Sequence, residues 1–180
     1  MWTSLRADRT RRLCLNAVLV ATAMMLSYLE VLIPMELFLP LPGFKLGLAN
    51  TVTLLAFTQV SKADAAVISA LRILLMGLLF GSPTSFFFSA MGGLFAYAAL
   101  TVAVHLLKSC SYCGASVVCA AAHNLGQLLA AALLFGSSIL LSYLPFLLFA
   151  ALLSGSLTGL LLNVAIPRLP SLKPIKRRTK

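Results

Sequence analysis

Of 180 residues, 61% are apolar and only 10% are charged, and the mean hydropathy is +1.01. A soluble domain carries about 25% charged residues, so this chain lacks the charge to build a water-facing surface and is excluded from that class. The net charge of +10 does not argue for nucleic acid, because most basic residues sit in two tails, where Lys and Arg hold membrane ends on the cytoplasmic side.

Arg6, Arg9, Arg11 and Arg12 precede the first apolar run, and Arg168, Lys173, Lys176, Arg177, Arg178 and Lys180 follow the last. Between Leu13 and Pro167 the charges are Glu30, Glu36, Lys45, Lys62, Asp64, Arg72 and Lys108. The expected organisation is a basic tail over 1–12, a single membrane domain over 13–167 and a second basic tail over 168–180. A length of 180 residues leaves no room for a second domain of ordinary size. The first apolar run is longer than a signal-peptide core and more runs follow, so it reads as a retained helix.

A spanning helix needs about 20 mostly apolar residues. In chain order, spans are expected over about Leu13–Ile33, Leu46–Val60, Ala65–Phe80, Ser85–Leu107, Gly114–Phe135 and Ile139–Ile166. The second is short unless its flanks extend it, and the sixth has Pro145 near its start. Gly, Pro and Ser punctuate the connections, as antiparallel neighbours require. The fold class is therefore an all-α integral membrane bundle of six transmembrane helices. With both basic tails inside, Lys62 and Lys108 fall in inner loops and only Lys45 lies outside. Both termini are then cytoplasmic. The first outer connection, Pro34–Lys45, holds three prolines and many apolar side chains. Two readings stay open for it: a segment folded back over the bundle, or a loop resting on headgroups.

Polar groups inside a membrane are expensive, and each asks for a reason. Arg72 stands near the middle of the third span, where insertion costs roughly 2.5–3.5 kcal/mol. It either balances Glu30 or faces a cavity that holds an anion. His123, Asn124 and Gln127 interrupt the fifth span beside Gly126. His123 and Gln127, four apart, share a helix face, and Asn124 adjoins Gln127. Asn50, with Thr51 and Thr53, marks the second span. These residues fall between mid-membrane and the outer leaflet. They are expected to converge on one outward-opening pocket together with Lys45, with Glu30 and Phe44 at its rim. The competing reading is a set of interhelical hydrogen bonds, each worth about 0.6–2 kcal/mol.

Ala17 and Ala21 form a small-xxx-small pair on the first helix that permits close approach by another helix. Gly92-Gly93, Gly155 and Gly159 read as packing. Cys110 and Cys113 have redox or metal spacing, but an inner loop is reducing and no second pair completes a zinc site. They read as an incidental dithiol, and no cofactor is expected.

Three stretches, PGFKLGLANTVTLLAF, ALRILLMGLLFGSPTSFFFSAMGGL and GASVVCAAAHNLGQLLAA, together resemble the Gx transporter family. That family is also known as heptaprenyl diphosphate synthase component I, and it is related to the S components of energy-coupling factor transporters. The similarity runs from about Ala17 to Gly159. It implies a six-helix S-component fold with an outward-facing ligand pocket. It further implies that Ala17 and Ala21 dock on a membrane coupling subunit energised by two cytoplasmic ATPases. Lys45, Asn50, Arg72, His123, Asn124 and Gln127 all lie in the resembling motifs.

The chain has no phosphate-cradling loop of its own. Its two aspartates, Asp8 and Asp64, form no cluster to hold magnesium on a diphosphate. It is therefore not expected to be an enzyme on its own. Two functions remain: a substrate-binding membrane subunit for a small vitamin-like or anionic molecule, or a non-transporting membrane component of isoprenoid, quinone or flavin-linked electron-transfer metabolism. The expected location is the bacterial cytoplasmic membrane.

Overall fold

The computed structural model describes residues 2–32, 47–106, 111–136 and 138–169. The described residues are almost wholly helical: α1 (Trp2–Leu32), α2 (Asn50–Gln59), α3 (Lys62–Phe80), α4 (Pro83–Leu106), α5 (Tyr112–Phe135) and α6 (Leu144–Ala165). Short 3₁₀ segments, Ser138–Tyr143 and Ile166–Arg168, flank α6. Five of the helices are long and apolar enough to cross a membrane. The expectation of a multi-pass all-α membrane protein is met.

α2 departs from the expected set of spans. Its 10 residues give a helix about 15 Å long, half the thickness of a bilayer's hydrocarbon core of about 30 Å. α1 departs in the other direction: it begins at Trp2, so the basic stretch before Leu13 continues the helix instead of preceding it.

Local chemistry sets the helix ends. Ser61 caps α3 by accepting from the Asp64 N–H at 3.1 Å, and Asp64 in the first turn complements the helix dipole. Ser82 accepts from the Ser85 N–H at the start of α4, where Pro83 leads without needing a donor. Ser111 caps α5, and Gly136 closes it with φ +61°, a left-handed conformation suited to glycine. Pro145 sits in the first turn of α6, which explains why that helix starts at Leu144 after the 3₁₀ segment.

The short helix is the centre of the bundle. α2 packs against each of the five long helices, while α5 lies along both α4 and α6. α1 is the outlying helix and rests on α3 and α2. Leu54, Ala56, Ile68 and Leu100 sit at the heart of the main apolar cluster, joined by Val20 and Ala23 from α1 and Leu162 from α6.

Small residues bring the long helices close. A Cβ at Gly126 would stand 2.6 Å from the Met91 carbonyl of α4, and one at Gly155 would stand 2.5 Å from Val117 Cα. Gly159 meets the Cys113 backbone in the same way. Packing through small residues is how helices associate where water provides no drive. On the outside, Leu78, Leu133, Leu153 and Met25 are among many large apolar side chains left exposed, as lipid contact demands.

Candidate binding site at the start of helix α2

The site is built around a turn that ends well inside the helical bundle. At one end of the bundle, Asn16 of α1 donates to Asp64 of α3. Glu30 stands about 21 Å further along α1, at 1.5 Å per residue. There its Oε1 accepts from the Leu48 N–H at 2.6 Å. The chain therefore enters α2 roughly two-thirds of the way across the bundle.

Gly47 carries φ +80° at this entry, a conformation that L side chains avoid. The turn closes through Asn50 N–H to the Gly47 carbonyl at 2.9 Å and Thr51 N–H to the Leu48 carbonyl at 3.0 Å.

The imidazole of His123 lies between two glycines. A Cβ at Gly47 would come within 3.3 Å of its Cδ2, and one at Gly92 within 2.6 Å of its Cε1 and 2.8 Å of its Nδ1. The Gln127 Cγ lies 3.0 Å from that same position over Gly92. His123 and Gln127 thus share the face of α5 turned toward α4, as their spacing predicts. Asn50 joins them from α2, its Nδ2 2.9 Å from where a Gly47 Cβ would be. Gly92 packs, as read from the sequence, and what it packs against is both of these side chains.

Arg72 is 4% exposed in α3. Its Nη1 donates to the Ser27 hydroxyl of α1 at 3.1 Å, and the charge acting on it is Glu30. Nothing in the sequence pattern joins Ser27 to Arg72, because a single hydroxyl on an apolar helix does not say which neighbour it meets. Asn124 turns elsewhere. Its Nδ2 donates to the Leu147 carbonyl of α6 at 2.9 Å, so its side chain knits α5 to α6 and does not join the His123 face. Lys45 and Phe44 lie outside the described residues, as does the connection Pro34–Lys45.

A second polar layer lies beneath. Ser116 and Thr158 hydrogen-bond across α5 and α6. With Asn50, Thr51 and Ser154 they line a cavity of about 10 Å³, enough for one water. Between α3 and α4 runs a separate apolar groove of about 360 Å³, lined by Ser69, Ile73, Phe86, Gly93 and Tyr97 among others.

The site holds much unused hydrogen-bonding capacity, although Asn16 Oδ1, Asn124 Oδ1 and Ser154 Oγ are unmatched elsewhere. Among the described residues, Arg72 Nε and Nη2, both amide atoms of Gln127, Asn50 Nδ2 and Thr53 Oγ1 are buried with no partner. Leaving a buried donor or acceptor unmatched costs about 1–3 kcal/mol, more for a charged group. Most buried polar groups in folded proteins are matched, so each of these exceptions asks for an explanation.

The remaining expected residues lie on a different surface. Ala17 and Ala21 are exposed on α1, beside Leu13, Val18 and Met25, and face away from the bundle.

No curated protein and no solved structure matches the chain. A family model does, over residues 19–165, which takes in α2 to α6, the later part of α1 and the whole of the polar cluster. The chain belongs to the heptaprenyl diphosphate synthase component I family.

Proposed function

We propose that this chain is a substrate-binding membrane subunit that takes up a small polar or anionic molecule with an apolar body. The observation that carries the reading is the group of buried, unmatched polar atoms on Asn50, Arg72 and Gln127 around the start of α2. Lipid tails cannot satisfy such atoms, whereas a polar ligand can. His123, held between Gly47 and Gly92, gives the pocket a flat wall. Both termini are cytoplasmic in this reading, and the pocket faces outward. The exposed Ala17 and Ala21 form the surface on which a membrane coupling subunit, energised by cytoplasmic ATPases, docks. The chain supplies specificity and its partners supply energy. It is not a catalyst by itself, and Asp64 is committed to Arg12 and Asn16.

The test is native mass spectrometry of the full chain purified gently from its own membranes. A retained water-soluble ligand, lost in His123→Ala and Arg72→Ala, is the expected result. No retained ligand, or a ligand unaffected by either change, removes the pocket. Replacing Ala17 and Ala21 together by Leu is expected to block capture of the coupling subunit and leave ligand retention intact.

The family's name favours a second reading: a non-transporting membrane component of isoprenoid, quinone or flavin-linked electron-transfer metabolism. The apolar groove between α3 and α4 suits part of a prenyl chain. In that case a prenyl or quinone molecule co-purifies, and the Ala17/Ala21 double variant keeps its function.

A further inference from the structure

We infer that the open edge of the Arg72 guanidinium receives an oxyanion with two oxygens in one plane, a carboxylate or a phosphate, that the bound molecule carries. This deepens the binding-subunit reading and rests on it.

The molecule contains its own template. Arg12 turns its Nε and Nη2 edge to the Asp64 carboxylate: Nε–H donates to the two oxygens at 3.0 and 2.9 Å, and Nη2, whose hydrogen bond goes to Ser61, is ion-paired with Oδ2 at 2.7 Å. Nε–H and Nη2–H point the same way from one side of the planar group, so together they grip two oxygens at once. Arg72 has that same edge vacant. Among the described residues neither its Nε nor its Nη2 has a hydrogen-bond partner, while Nη1 on the opposite side is tied to Ser27.

Ser27 is therefore a positioning residue. Its hydroxyl fixes the plane of the guanidinium and so the direction in which the free edge faces. Glu30 does not fill that edge, since neither Nε nor Nη2 has a hydrogen-bond partner, and Glu30 Oε1 accepts from the Leu48 N–H. An arginine kept only to balance Glu30 would turn its two-pronged edge toward the carboxylate, as Arg12 does toward Asp64. A lysine would serve a point charge as well, but it has no such edge. The oxyanion comes either from a water-soluble molecule or from a lipid headgroup; the chemistry of the grip is the same.

The experiment uses the full chain in phosphatidylcholine nanodiscs with ¹⁵N-labelled arginine. The Arg72 Nε–H resonance is identified by its loss in Arg72→Lys. Sodium acetate and inorganic phosphate are titrated as probes against sodium chloride at matched ionic strength. A saturable shift of this one resonance with acetate or phosphate, and not with chloride, is expected. Arg72→Lys is expected to weaken binding of the native ligand by at least about tenfold, since it keeps the charge and loses the edge. Ser27→Ala is expected to weaken it less and to narrow the preference for acetate over chloride, a change that a purely structural role would not produce.

A shift caused by phosphatidylglycerol in the disc, in place of the soluble probes, keeps the grip and assigns it to a headgroup. If no oxyanion moves the resonance while the chain still retains a ligand, the inference fails and the binding-subunit reading stands. If Glu36→Gln moves it and the probes do not, the edge is filled from within the chain and the inference is overturned. Where Arg72→Lys fails to fold, Arg72→Gln supplies the assignment, and the wild-type titration then decides the matter.

Discussion

Two arginines in this chain meet the membrane on opposite terms. Arg12, half exposed near one end of the bundle, spends its donors on Asp64 and Ser61, and Asn16 adds a further bond to the same carboxylate. Arg72 is fully buried, makes one hydrogen bond to Ser27, and leaves one edge open among the described residues. In the first cluster both oxygens of the Asp64 carboxylate are engaged, although Asn16 Oδ1 has no partner, and the cluster ties α1 to the α2–α3 turn. The second is placed at greater energetic cost, and there the charged group itself keeps an open edge. A charge met on all sides suits a structural joint; a buried charge left open is what the proposed site would use.

The contrast breaks most sharply at Arg72. Replacing it by Met keeps the volume and removes the buried charge. It also leaves the buried Glu30 without its opposite charge, which costs about 3–5 kcal/mol. The expected outcome is loss of ligand retention by about a hundredfold, as for a removed charge-assisted pair, with a lowered unfolding midpoint that Glu30→Gln in the same chain restores while ligand retention stays lost. Occupancy by native mass spectrometry and thermal unfolding in nanodiscs check the two halves. A destabilised Arg72→Met protein that still binds would make the cluster a structural joint like the other.

Asp64→Ala should behave the opposite way. It removes the acceptor for Arg12, Asn16 and Ser61, and the expected loss is about 2 kcal/mol, at the low end for hydrogen bonds to a charged group because Arg12 is half exposed. Ligand retention should be unchanged. The difference from the wild type should shrink in high salt, where screening weakens the pair.

Gln127→Leu sharpens the same point with an uncharged group. Both amide atoms are buried without partners, so an apolar replacement is expected to hold or raise stability by about 1 kcal/mol. Ligand affinity should fall about tenfold, the worth of one to two hydrogen bonds. Titration of the co-purified ligand against the delipidated variant measures it.

The sequence made Arg72, His123 and Gln127 legible because each violates the composition of its helix, and the violation has a known cost. It did not reveal the cluster at Arg12 and Asp64, which were read as a tail and a loop. Nothing in the local pattern says that α1 continues back to Trp2 and brings the two together. The shortness of α2 was partly legible, because Leu46–Val60 is already short for a span, but its hydropathy is the same whether it is helical throughout or only from Asn50. The glycines were legible as packing, but not what they pack. Gly92 opposes the His123 ring, whereas Gly155 opposes backbone, and only the register of the helices distinguishes them.

Asn124 carries the smallest effect and the finest distinction. It follows His123 directly, so a helix turns its side chain about 100° away, and its amide reaches the Leu147 carbonyl of α6. Asn124→Leu should therefore cost only about 0.6–1.7 kcal/mol, the range for interhelical hydrogen bonds within membranes. Ligand retention should match the wild type, while Gln127→Leu, three residues along, loses it. Equal binding losses from the two changes would put Asn124 in the pocket and erase the division between the face of α5 that binds and the face that packs. A loss of stability alone would place the boundary of the site between neighbouring residues on one helix.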